Sequence, residues 1–119
     1  MRKIALLTIL ILLLNTYSTN AHTVLVSTSP KANSTISSLP NKVKLIFADN
    51  LLNLKGKINE LEVVSPNGIT KTLISKVKDN QLEGNWNKAL NSKGKYQIKY
   101  RVAAPDGHIV SGVITFYLK

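Results

Sequence analysis

A chain of 119 residues with 16 lysines and arginines against 6 acidic residues carries a formal charge of +10, and it contains no cysteine. The length admits one small domain, the missing cysteines exclude disulfide staples and thiolate metal ligands, and the charge excludes strongly cationic partners. Nucleic acid is excluded by pattern: Lys31, Lys42, Lys44, Lys55, Lys57, Lys71, Lys76 and Lys78 are scattered, without interleaved aromatics or a reading motif, as on a solvated surface.

The first segment reads as an export signal. Arg2 and Lys3 form a basic start, Ile4 to Leu14 is an apolar run interrupted by Thr8, and Asn15 to Ala21 is a polar stretch closing on small residues, with Thr19 and Ala21 set for cleavage after Ala21. The apolar run is 11 residues long, against about 20 for a membrane span. Residues 1–21 are therefore expected to be a cleaved Sec signal peptide and residues 22–119 the mature domain, 98 residues with the charge reduced to +8 by the loss of Arg2 and Lys3. His22 becomes the first residue, which gives it two metal-binding nitrogens: the ring and the terminal amine.

Downstream the pattern is that of short strands. Thr23 to Thr28 carries Val24 and Val26 on one side; Lys42 to Phe47 sets Val43, Leu45 and Phe47 against Lys42, Lys44 and Ile46; Leu61 to Val64 follows. Turns are expected at Ser29 to Ser34, Leu39-Pro40-Asn41, Ser65-Pro66-Asn67-Gly68 and Asn91 to Gly94, where Pro fixes φ and Gly or Asn accepts positive φ. Helix finds little support; Leu51 to Lys57 has room for about one turn, and Gly56 weakens it. In the last third, Tyr96, Ile98, Tyr100 and Val102 alternate with Gln97, Lys99 and Arg101. After Pro105 to Gly107, Ile114, Phe116 and Leu118 alternate with Val113, Thr115 and Tyr117. Two long antiparallel strands around a turn explain this. The fold expected is all-β: a Greek-key antiparallel sandwich or barrel of about seven strands.

The second of the two histidines, His108, stands in Pro105-Asp106-Gly107-His108. Residues i and i+2 of an extended segment face the same side, so Asp106 and His108 can meet one ion across Gly107. With the amine and ring nitrogen of His22, the set becomes three nitrogens and one oxygen. Such donors favour Cu(II), which also heads the affinity order for divalent first-row metals. Zinc, the rival, takes the same donors tetrahedrally but gains less from an amine and imidazole held in one plane. The aromatic residues have a plainer use: Trp86, the only tryptophan, and Tyr96 and Tyr100 on one strand face, are expected to pack. Arg101 is either a basic edge residue or a charge-assisted support for Asp106.

The segments Ala21-His22, Val24 to Pro30, Leu39 to Phe47, Val64 to Gly68 and Gly94 to Val102, then Asp106-Gly107-His108-Ile109-Val110-Ser111-Gly112 and Phe116, together resemble the CopC-type copper-resistance domain over nearly all of 22–119. The specific part is the Tyr-x-x-x-Tyr-Arg-Val strand, the Asp-Gly-His turn and the Val-Ser-Gly that follows. The resemblance implies a periplasmic Cu(II)-binding carrier with an immunoglobulin-like or cupredoxin-like barrel, liganded by His22, Asp106 and His108, that works beside a CopD-type membrane partner or sequesters the ion. Some members carry a methionine-rich Cu(I) site as well; here Met1 is the only methionine, so one Cu(II) per chain is expected.

Two other functions stay open. A histidine-brace copper enzyme is one, since oxidative polysaccharide monooxygenases use a similar N-terminal histidine. Asp106 would fill the position such enzymes keep for oxygen, and 98 residues offer little substrate surface, so no catalysis is expected. The other is a metal-free module that binds an envelope protein.

Overall fold

In the computed structural model, residues 23–53 and 58–119 are described; the expected signal peptide, His22 and residues 54–57 lie outside them. Alternation of apolar and polar residues becomes two stacked sheets. Among the described residues nine strands form in chain order: β1 (Leu25–Ser29), β2 (Thr35–Ile36), β3 (Lys42–Phe47), β4 (Glu60–Val64), β5 (Thr70–Thr72), β6 (Ser75–Lys78), β7 (Gln81–Asn85), β8 (Gly94–Ala103) and β9 (Ile109–Leu118). A four-stranded sheet runs β1-β3-β7-β6 and a five-stranded sheet β2-β9-β8-β4-β5. The chain changes sheet at β1–β2, β2–β3, β3–β4, β5–β6 and β7–β8, the Greek-key habit of a sandwich.

The alternations expected for β3, β8 and β9 hold. Val43, Leu45 and Phe47 are buried opposite Tyr96, Ile98, Val102, Ile114, Phe116 and Leu118, with Leu61, Val63 and Leu82 completing the core. Each such aliphatic side chain taken from water stabilises the fold by about 1.5–3 kcal/mol. Ten residues of β8 pair in register with ten of β9, Gly94 against Leu118 through Ala103 against Ile109.

The structure departs from the sequence expectations in strand number and in the regularity of β1. Nine strands replace about seven, because β2, β5 and β6 are short elements that exist through their neighbours: β2 lies against Tyr117 and Leu118, and is parallel to β9 in an otherwise antiparallel pair of sheets. Val24 and Val26 share one side, which faces outward, each 64% exposed, while Leu25 packs on the core; the alternation is then broken by a register shift between Leu25 and Ser27. Leu51–Asn53 form no helix, in line with the little support for one in the sequence; the backbone N–H groups of Leu51 and Leu52 bond to other segments.

Packing explains the aromatic residues. Tyr96 stacks on its cross-strand partner Phe116 (centroids 5.1 Å apart), and Trp86 meets both edge-on at 5.4 and 5.9 Å. The buried polar tips are satisfied: Trp86 donates from Nε1 to Leu90 O at 3.1 Å and Tyr96 from Oη to Ser92 O at 2.5 Å. Tyr100, half-buried, stands edge-on to Phe47 at 5.6 Å, and burial raises its phenol pKa. Its ring occupies the space a side chain at Gly112 would need.

Candidate metal centre

The β8–β9 connection is built by its sequence. Pro105 suits the first corner of a type I turn, and Gly107, at φ +89°, takes the left-handed position that closes a three-residue hairpin loop. Gly107 N–H donates to Ala104 O at 2.9 Å and Ala104 N–H to His108 O at 2.8 Å. Asp106 Oδ1 accepts the His108 backbone N–H at 3.0 Å. Oδ2 of the same carboxylate lies 2.6 Å from His108 Nδ1. The two side chains expected to share an ion are thus brought together, with His108 66% and Asp106 27% exposed.

This geometry has a chemical consequence. With Nδ1 facing a carboxylate, the imidazole is held in one orientation, and Nε2 is the nitrogen that would face a metal, the arrangement by which carboxylates orient histidine ligands. Asp106 therefore has two possible uses: ligand through one oxygen, or partner that aims His108. Among the described residues no three His, Asp or Glu side chains form a metal-holding group, so Asp106 and His108 need donors from elsewhere. His22 lies outside the described residues.

What the structure adds is how the segment just before β1 is tied to this turn. The loop after β3 bonds to both. Ala48 N–H donates to Val24 O at 2.8 Å and Asp49 N–H to Thr23 Oγ1 at 3.3 Å; Thr23 is only 4% exposed. Three residues on, Leu51 N–H donates to Asp79 O at 2.9 Å and Leu52 N–H to Ala103 O at 3.0 Å. Asn59 clamps the same junction, donating from Nδ2 to Leu52 O at 2.6 Å and accepting the Ala103 N–H on Oδ1 at 2.9 Å. Thr23 and the Asp106–His108 turn therefore occupy the same end of the sandwich. Sequence reasoning missed Thr23, the loop of residues 48–53 and Asn59. A polar residue just before a strand was the only signal for Asn59, and its partner Ala103 is 44 residues away. Arg101, exposed, sits in register with Glu60 and Ser111.

Comparison with known proteins bears on this end of the molecule. Residues 25–119 match the family model of the CopC domain. The chain belongs to the CopC family. Its fold is similar to that of CopC from Methylosinus trichosporium OB3b (TM-score 0.69, 26% identity, covering 82% of this chain and 94% of that one). It is also similar in fold to PcoC, a methionine-rich copper resistance protein from Escherichia coli (TM-score 0.63, 23% identity, covering 82% and 99%). No curated protein matches the chain. Where PcoC is methionine-rich, this member of the CopC family has Met1 alone.

Proposed function

We propose that residues 22–119 are a periplasmic copper-resistance and copper-homeostasis protein that carries one Cu(II), released from the signal peptide by cleavage after Ala21. His22 supplies its terminal amine and ring nitrogen, His108 a ring nitrogen and Asp106 a carboxylate oxygen. The observation that carries this reading is the loop of residues 48–53, which bonds to both Thr23 and Ala103 and so keeps the residue next to His22 at the same end as the Asp106–His108 turn. Membership of the CopC family supports copper as the cargo.

The chemistry follows from the donors. Amine and imidazole nitrogens with a carboxylate are borderline to hard ligands and suit Cu(II); no mature thioether or thiolate is present to hold Cu(I). An amine of ordinary pKa, about 7.7–8.0, must lose its proton to bind, so copper affinity falls as pH drops and binding releases protons. The role is carriage rather than catalysis, with hand-over to a CopD-type inner-membrane protein or sequestration as the two ends it could serve.

The test is a titration of the mature protein with Cu(II), followed through the copper d–d absorption and by competing chelators of each oxidation state. One equivalent of Cu(II) and no appreciable Cu(I) binding are expected. Tight Cu(I) binding, or no d–d band, would refute it. Trp86 fluorescence is a poor reporter here. It packs on Tyr96, and seven residues of extended β8, roughly 23 Å, separate Tyr96 from Ala103 at the site end.

A further inference from the structure

The outward faces of the two sheets differ in charge. On the five-stranded sheet each glutamate has a cation opposite: Glu60 faces Arg101 and Glu62 faces Lys99. On the four-stranded sheet the ladder instead gathers cations into rows. Lys44, Glu83 and Lys76 lie side by side across β3, β7 and β6. Lys42 and Asn85 form the row on one side, and Ile46, Gln81 and Lys78 the row on the other. Glu83 alone opposes four lysines. It is bonded to Lys42 at 2.6 Å, which holds its carboxyl below the usual range with help from Lys44 and Lys76, although burial pulls the other way.

The Lys42–Asn85 row ends in an apolar residue. Asn85 N–H donates to Ile74 O at 3.0 Å, which sets Ile74 beside Asn85 at the β6 edge, and Ile74 is 82% exposed. An isoleucine exposed among lysines on a broad sheet face buries no apolar surface in water, so it has no stabilising role there. At a lipid headgroup layer it has one: lysine stems lie along the boundary with their ammonium groups on phosphates, while the aliphatic residue enters the acyl edge. Strands about 4.8 Å apart place neighbouring rows of charge within a Debye length, about 10 Å at 0.1 M salt, so the lysines act together. An acidic protein would satisfy the lysines and leave Ile74 unexplained.

We propose that the outward face of the four-stranded sheet, through Lys42, Lys44, Lys76, Lys78 and Ile74, docks this domain on a bilayer containing anionic phospholipid. The Asp106–His108 turn joins β8 and β9 of the other sheet, so docking leaves that end open to solvent. The proposal is independent of the metal reading.

The unit to test is residues 22–119, since the core cluster is formed by residues between Leu25 and Leu118. Sedimentation with phosphatidylcholine vesicles, and with vesicles that also contain phosphatidylglycerol, at low salt, measures the partition. Binding only to the phosphatidylglycerol vesicles is expected. A Lys44→Gln/Lys76→Gln/Lys78→Gln variant should lose about a hundredfold, at about fivefold per lysine, and Ile74→Ser should lose several-fold at unchanged charge. Lys93→Gln/Lys95→Gln/Lys99→Gln carries the same change of net charge and should bind nearly as the parent does. Circular dichroism confirms that each variant is folded. Equal losses in the two triple variants would reduce the effect to net charge and overturn the docking face. So would binding to soluble polyglutamate with none to the vesicles, which would assign the face to an acidic protein.

Discussion

The two ends of the sandwich are held by different forces. At the end where β8 begins, Trp86, Tyr96, Phe116 and Leu90 close the core through ring contacts, with two hydrogen bonds that satisfy buried polar tips. At the end where β8 finishes, Thr23, the loop of residues 48–53, Asn59 and Ala103 are joined almost wholly by hydrogen bonds to backbone. Apolar packing tolerates no change of shape but needs no polar chemistry. The hydrogen-bonded end fixes positions while leaving Asp106 and His108 at the surface. Stability and ligand chemistry are thereby separated along the length of β8 and β9, and variants at the two ends should behave differently.

The largest expected effect is on stability at the aromatic end. Phe116→Ala opens a cavity between Tyr96 and Trp86 and should cost about 3–5 kcal/mol in urea denaturation, while copper affinity of the folded fraction stays as it was. A loss of affinity in folded Phe116→Ala protein would show that the ends are coupled. At the other end the order should reverse. His108→Ala is expected to weaken Cu(II) binding more than Asp106→Asn, which keeps an oxygen but loses charge. Both should leave apo unfolding within about 0.5 kcal/mol of the parent, as for surface positions. Apo proteins that unfold far earlier would make the pair structural instead.

Asn59→Ala probes what lies between. It removes a donor to Leu52 O and an acceptor for the Ala103 N–H, so stability should fall by about 1–3 kcal/mol, and copper affinity should fall too, because the segment just before β1 and the turn lose their shared anchor. Unchanged affinity in a folded Asn59→Ala protein would show that the clamp serves the fold alone. The smallest effect concerns Glu83. Its depressed pKa means that its contribution is present above the ordinary carboxylate range and is lost as pH falls through the lowered value. Acid titration of stability should therefore be slightly shallower in Glu83→Gln, and an identical acid limb would show the Lys42 contact to be without weight.

How much was legible in the sequence follows the same division. β3, β8 and β9 were readable because apolar residues that enter the core alternate with residues that face outward, as in Val43, Leu45 and Phe47 against Lys42 and Lys44. The strands β6 and β7 were not, because their inward positions include Ser75 and Gly84. A Cβ at Gly84 would lie 2.8 Å from Leu61 Cδ1 and 3.2 Å from Leu73 Cβ, so these leucines would have to shift for any larger residue, yet a glycine in a strand reads as a break. The bulge in β1 between Leu25 and Ser27 could not be read, because period-two reasoning assumes an unbroken register. At the site, the Asp106-Gly107-His108 turn could be read because its chemistry is local. The anchoring by Asn59 and by the loop of residues 48–53 could not, because each bond joins residues far apart in the chain.

One measurement addresses the copper proposal most directly: electron paramagnetic resonance of Cu(II) bound to two forms of the domain, one beginning at His22 and one carrying a single extra residue before it. The extension keeps every side chain and removes only the histidine's terminal amine as a chelating donor. The form beginning at His22 should bind one Cu(II) with nitrogen couplings from an amine and two imidazoles. The extended form should bind more weakly and lose the amine coupling. Identical spectra and affinities in the two forms would contradict a site built on the first residue of the mature chain.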